Sequence, residues 1–159
     1  MSLRLQAAFG LRREESIKII PAWADRGDHL LLRASWTKGG RQREIPVRTV
    51  DQRALISEAK ALAAGKSLVN PAFRSYAEYL RHFRHVCAQA NISRIHGLRH
   101  GYAQRRYEEL TGWKCPACGG PSQKSLSVDQ RLIDGSTRLT ISSELGHVRE
   151  QITTVYLGR

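Results

Sequence analysis

The amino-acid sequence predicts an α+β domain that is mainly helical, with one small antiparallel β-hairpin. Three observations carry that expectation. Apolar residues recur at helical spacing over most of the chain, as in Tyr76, Leu80, Phe83, Cys87 and Ala90, which share one helix face. One short region alternates instead: Leu30, Leu32, Ala34 and Trp36, then Gly39-Gly40, then Ile45 and Val47. With 159 residues, 41% hydrophobic and 25% charged, the chain suits one well-cored domain and is too short for two ordinary ones.

The elements follow in order. Leu5-Gln6-Ala7-Ala8-Phe9 reads as the end of a helix that Gly10 terminates. A second helix is expected over residues 13–19, stopping before Pro21. The hairpin comes next, with its turn at Gly39-Gly40. Asp51 is placed as the cap of a helix containing Leu55, Ile56, Ala59, Leu62 and Ala63 and closed by Gly65. After the helix bearing Tyr76 and Phe83, another is expected over 96–110. Residues 112–135 are rich in Gly, Pro, Ser and polar groups and read as a long loop, followed by two short helices over 141–145 and 150–157.

The charge narrows the partners. Lys and Arg number 26 against 14 Asp and Glu, a formal net charge of +12. That balance favours a polyanion, most simply nucleic acid. No apolar run approaches the ~20 residues that span a bilayer, so no membrane partner is expected. Three cysteines, an odd number, argue against a disulfide framework and fit a reducing cytosol.

Four segments carry the residues of chemical interest. Gly10-Leu11-Arg12-Arg13-Glu14-Glu15 places an arginine in the turn before a helix, whose N-terminus favours an anion. By position alone Arg12 and Arg13 are equivalent. Glu15 can orient whichever arginine points inward. Thr37-Lys38-Gly39-Gly40 sets Lys38 at the hairpin tip, where it can reach a bound ligand and donate a proton. In His96-Gly97-Leu98-Arg99-His100, His96 and Arg99 share a helix face, and the planar fork of Arg99 suits phosphate oxygens. His100 points about 100° around that helix, which suits packing behind the site. Finally, Leu145-Gly146-His147 is followed nine positions on by Tyr156. A tyrosine with pKa near ~10 is a nucleophile only where its phenoxide is stabilised, and the arginines and histidines can do that. Taken singly, each segment also reads as ordinary surface or core.

Taken in order, Gly-Leu-Arg-x-x-Glu, Thr-Lys-Gly, His-x-Leu-Arg-His and Leu-Gly-His with its tyrosine resemble the catalytic domain of the tyrosine recombinases, the phage integrase family. The resemblance covers nearly the whole chain and implies the catalytic-domain fold of that family. It implies that Arg12, rather than Arg13, clamps the scissile phosphate together with Arg99. It further implies that Lys38 protonates the leaving 5′ oxygen, that His96 and His147 contact the phosphate and assist proton movement, and that Tyr156 attacks to leave a 3′-phosphotyrosyl link. Glu15 and His100 would be supporting residues. Exchange of one phosphodiester for another conserves bond energy, and fixed cations take the place of a metal, so no ATP, metal or other cofactor is expected. The partners implied are double-stranded DNA and, in a tetrameric synapse, other recombinase protomers, in a bacterial cytoplasm and encoded by a prophage or mobile element.

Three departures from the family pattern shape the remaining expectations. The core-binding domain that precedes the catalytic domain is not in the sequence, and the chain ends just past Tyr156. It is therefore expected to be a single truncated catalytic domain over 1–159, largely monomeric in dilute solution. The span between Arg99 and His147 is long, with the excess on residues 113–137. That insertion holds Cys115 and Cys118, a C-x2-C pair that forms half of a zinc knuckle, which His96 and His100 could nominally complete. A lone pair is weak, and a metal-free loop is expected. The rival functions are a type IB topoisomerase, which shares the Arg–Lys–Arg–His–Tyr chemistry, and a non-catalytic zinc-dependent DNA-binding module.

Overall fold

The computed structural model describes residues 1–69, 72–73, 75–93, 96–147 and 150–159, with the side chain of Glu150 excepted. The architecture is mainly helical with one two-stranded antiparallel sheet, as the sequence predicts. The helices are α1 (Ser2–Phe9), α2 (Arg13–Lys18), α3 (Pro21–Ala24), α4 (Val50–Ala63), α5 (Tyr76–Gln89), α6 (Gly97–Thr111), α7 (Val128–Glu144) and α8 (Thr154–Leu157). Strands β1 (His29–Leu32) and β2 (Arg43–Pro46) lie between α3 and α4.

Gly10 ends α1 in the left-handed region, φ +61°, and a Cβ there would stand 2.6 Å from the Tyr102 ring and 2.9 Å from Leu145. The turn from α1 to α2 is thereby pressed against α6 and the end of α7. Pro21 does stop α2, but it also starts α3 as its first residue, where a missing N–H costs nothing. In the hairpin, Leu30 faces Ile45 and Leu32 faces Arg43, and the inward side chains Leu30, Leu32, Arg43 and Ile45 are all buried.

The expected first strand is shorter than its alternation suggests. Residues Ala34–Trp36 turn into a 3-10 helix, and the Thr37 hydroxyl ties both ends of the turn by donating to the carbonyls of Ala34 (3.0 Å) and Arg41 (2.6 Å). Trp36 still reaches the core, edge-on to Trp23 at 5.4 Å. The cap of α4 is Thr49, not Asp51: Thr49 Oγ1 accepts from the Gln52 amide at 3.1 Å, while Asp51 sits in the first turn, where its charge suits the helix dipole. The left-handed residue that closes α4 is already Ala64, one before Gly65. Of the expected face on α5, Phe83 and Cys87 are buried, whereas Ala90 is exposed and lies past the helix end.

The largest correction concerns the loop expected over 112–135. Only 112–127 is irregular, with 3-10 turns at Pro116–Cys118 and Gln123–Ser125; α7 then runs unbroken through Gly135 to Glu144 and absorbs the short helix expected over 141–145. Ser127 and Gln130 form its capping box. Its amphipathic pattern is inverted. The buried face carries Asp134, Thr137, Arg138, Ser142 and Glu144 beside Ile141, while Val128, Leu132 and Leu139 face outward. Buried ion pairs make that face tolerable: Arg138 and Tyr107 both donate to Asp134, and Arg106 and Tyr102 both donate to Glu144. The core these elements enclose includes Leu5, Phe9, Leu11, Ile56, Tyr102, Tyr107, Leu145, Tyr156 and Leu157.

Candidate active site

Arg99 stands in the first turn of α6 and is only 2% exposed. Its guanidinium donates to the carbonyls of Gly10 and Leu145, so one side chain holds the end of α1 to the end of α7. Its Nε donates to the Tyr156 hydroxyl at 3.2 Å, and its Nη2 meets His147 Nε2 at 3.3 Å. Burial pulls the guanidinium below its ordinary pKa, while the Tyr156 contact opposes that shift.

The motif Leu145-Gly146-His147 is a helix stop. Gly146 takes φ +69°, its N–H returns to the Ser143 carbonyl, and the His147 N–H returns to the Ser142 carbonyl at 2.8 Å. This double closure turns the chain sharply and aims His147 back at Arg99. The His147 ring is half-buried, and burial first, then the cations Arg99, Arg12 and Arg43, hold its pKa at about 4. It is therefore neutral near pH 7. Arginine has no acceptor, so the Nε2 that faces Arg99 must carry the lone pair and Nδ1 the proton.

Tyr156 lies on α8 and is buried, at 5% exposure. Its hydroxyl accepts from Arg99 Nε and lies 3.4 Å from His147 Nε2. The His100 ring meets Tyr156 edge-on with centroids 4.8 Å apart, so His100 packs against the tyrosine. The insertion and α7 fix α8 from the other side: a Cβ on Gly158 would stand 2.9 Å from the Ala117 amide, and Arg138 on α7 donates to the Gly158 carbonyl at 3.1 Å.

Arg12 occupies the turn between α1 and α2. Glu15 accepts from its backbone N–H at 2.6 Å and from its Nη1 at 2.9 Å. Arg12 is close enough to Arg99, His96 and His147 to lower the pKa of each. His96 immediately precedes α6 and is exposed; partial burial first, then His100, Arg99 and Arg12, lower its pKa, and its ring lies 6.4 Å from that of Tyr156. The structure thus brings Arg12, Glu15, His96, Arg99, His100, His147 and Tyr156 together. Lys38 is not joined to them: it is exposed in the turn between Ala34–Trp36 and β2.

Cys115 is buried and Cys118 exposed. Burial, then a hydrogen bond with Cys118, pushes the Cys115 thiol up to about 11. Among the described residues no group of three or more His, Cys, Asp or Glu is placed to hold a metal.

Arg43 is the residue the motif reading missed. It is buried on β2 and makes a two-pronged pair with Glu15, both contacts at 2.7 Å, while its Nε donates to the Glu144 carbonyl at 2.9 Å. The signal was present: alternation through Ile45 and Val47 places Arg43 on the inward face of the strand. Arg12 and Arg43 together outweigh the burial of Glu15 and hold its pKa at about 2.

A family profile described as Integrase matches residues 1–105. The chain belongs to the integrase family. No curated protein and no solved structure gave a significant match. The span matched to the integrase profile contains Arg12, Glu15, Lys38, Arg43, His96, Arg99 and His100, whereas His147 and Tyr156 follow it. Integrase membership makes this a DNA-binding domain of DNA integration and recombination, in keeping with the net charge of +12. Among the described residues no helix is long and apolar enough to cross a membrane.

Proposed function

We propose that this chain is the catalytic domain of a tyrosine recombinase, which cleaves and rejoins DNA through a 3′-phosphotyrosyl intermediate without metal or ATP. The observation that carries the reading is the contact of Arg99 Nε with the Tyr156 hydroxyl at 3.2 Å, with neutral His147 at 3.4 Å. Because Arg99 donates to that hydroxyl, the tyrosine proton is left free to point at the lone pair of His147 Nε2. A scissile phosphate entering here would take over the Nε–H and Nη2–H donors that now meet Tyr156 and His147, and Arg12 would supply the second cation.

The Tyr156 oxygen then forms a bond to phosphorus as the bond from phosphorus to the 5′ oxygen breaks. The phenol proton passes to His147, whose basicity rises once the negative phosphate offsets the nearby arginines. The leaving 5′ oxygen takes a proton from Lys38, brought in by its exposed turn on DNA binding. His96, at the rim, adds a further donor to a phosphate oxygen. In this reading the rest of the clamp around the duplex and the partner protomers of a synapse come from the full-length recombinase, acting on DNA in a bacterial cytoplasm and encoded by a prophage or mobile element.

The test is adduct formation. The protein, in full-length context, is incubated with a nicked suicide duplex of its target site, and an SDS-resistant protein–DNA adduct is expected. An adduct undiminished in Tyr156→Phe would overturn the reading.

A further inference from the structure

Resting on that reading, we propose that Arg43 is a positioning residue, one that sets the phosphate-facing orientation of Arg12 and His147 and ties both to the hairpin bearing Lys38.

The argument begins with Glu15, which lies fully buried at the start of α2. Its Oε1 accepts from Arg12 Nη1 and from Arg43 Nη1; its Oε2 accepts from Arg43 Nη2 and from the Arg12 backbone N–H. Two arginines therefore share one carboxylate. Arg43 holds the carboxylate plane with a rigid fork, and that plane decides where the Arg12 guanidinium points. Arg12 touches the carboxylate with one side-chain nitrogen at 2.9 Å, against two contacts of 2.7 Å from Arg43. Arg12 is thus the less committed of the pair, and the one able to turn toward an anion.

Arg43 also reaches the other half of the site. Its Nε donates to the Glu144 carbonyl, and a Cβ on Gly146 would stand 2.9 Å from its Nη1. The helix stop that aims His147 is therefore built against the Arg43 side chain. The charged and titratable groups that face it are Glu15 from α2, Arg12 from the preceding turn, Arg99 from α6 and His147 after α7. Because its Nε and one N–H of each Nη are engaged by Glu15 and the Glu144 carbonyl, and the side chain is buried, Arg43 acts through its neighbours rather than on the phosphate. It is the first residue of β2, at the root of the turn that carries Lys38. A force on that turn from bound DNA is transmitted along the strand to the plane of Glu15.

The experiment compares wild type, Arg43→Met and Arg43→Lys, in the full-length protein, by two readouts. The first is the single-turnover rate of adduct formation with the suicide duplex from pH 5 to 8. The second is the affinity for inorganic phosphate, followed on the Nε–H resonances of Arg12 and Arg99. Thermal melts confirm that each variant is folded. Arg43→Met should slow adduct formation by about 10–100-fold, the range seen when a supporting contact behind a ligand is lost. The loss should deepen toward low pH, because Glu15 without Arg43 takes up a proton at higher pH than in the wild type. Phosphate binding should weaken by about tenfold, and Arg43→Lys should restore part of both. A merely structural arginine would lower the rate by one factor at every pH. That result, or unchanged rate and phosphate affinity in Arg43→Met, overturns the proposal. If wild type forms no adduct but its phosphate affinity still falls in Arg43→Met, the strand-transfer reading fails while the role of Arg43 stands. If Arg43→Met does not fold, Arg43→Lys decides: weakened phosphate binding supports the proposal and wild-type binding overturns it.

Discussion

Arg99 and Tyr156, 57 residues apart in sequence, meet in the protein interior with Nε of one 3.2 Å from the hydroxyl of the other. The contact joins the first turn of α6 to α8, and the same guanidinium holds backbone carbonyls of Gly10 and Leu145. One side chain is therefore both a structural tie and the donor that faces the candidate nucleophile.

Those two roles separate by substitution. Tyr156→Phe removes only the hydroxyl, leaves the Arg99 Nε–H without that acceptor, and should cost about 1 kcal/mol while abolishing the adduct. Arg99→Ala strands two buried carbonyls and should cost roughly 2–4 kcal/mol, besides abolishing the adduct. Urea melts and the adduct assay measure the two effects; equal loss of stability in both variants would refute the division.

Stability should fall with acid in two windows. His147 binds a proton at about 4 in the fold and near its ordinary value of 6.5 when unfolded, so the unfolded chain holds more protons between those values and stability drops as pH falls from 6.5 to 4. Because the ring is half-buried, the loss is on the order of 1–2 kcal/mol. Glu15, held at about 2 against 4.5, contributes stability that is present above pH 4.5 and is lost as pH falls from there toward 2. Denaturant melts as a function of pH should show a smaller upper window in His147→Gln, the remainder coming from His96, and an unreduced one in Glu15→Gln.

Gly10 and Gly39 make a matched pair of turn glycines. Both have positive φ, but a Cβ on Gly10 meets Tyr102 and Leu145 whereas one on Gly39 meets open space. Gly10→Ala should cost about 2–4 kcal/mol from strain and overlap together, and Gly39→Ala about 1 kcal/mol from strain alone. Thermal melts of the two variants should show that gap, and similar melting temperatures would contradict the close packing of the α1–α2 turn.

The inverted helix α7 predicts inverted mutational sensitivity. Leu132→Gln, at an exposed position, should fall within ±0.5 kcal/mol of wild type. Asp134→Ala leaves Arg138 and Tyr107 without their acceptor and should cost about 3–5 kcal/mol. Urea melts decide it: a larger effect at Leu132 than at Asp134 would mean that the helix buries its other face.

Much of the frame was legible in the residues alone. Gly10 as a helix stop, Pro21 as a boundary, the alternation around Gly39-Gly40 and the helix from 97 to 111 each rest on the local chemistry of a few neighbours, which the chain carries wherever it folds. The same holds for the turn at Leu145-Gly146-His147, whose backbone N–H groups all return to carbonyls within five residues. Helix α7 was not legible as a whole, because a sequence reader takes polar residues as outward. Asp134 and Glu144 are inward only because Tyr107, Arg138, Tyr102 and Arg106 wait for them.

The sequence by itself determined the helical class, the hairpin, the basic charge and the order of motifs that marks an integrase-family chain, since each depends on residue type and spacing. Only the tertiary structure decided which of those side chains touch. It set Arg43 between Glu15 and Glu144, buried Tyr156 against Arg99 and His147, and left Lys38 apart in an exposed turn. The reason is range. Caps, turns and periodicity are settled within a few residues, whereas the buried charges of Arg43 and Arg99 are stable only beside partners that the chain brings from 28, 57 or 101 positions away.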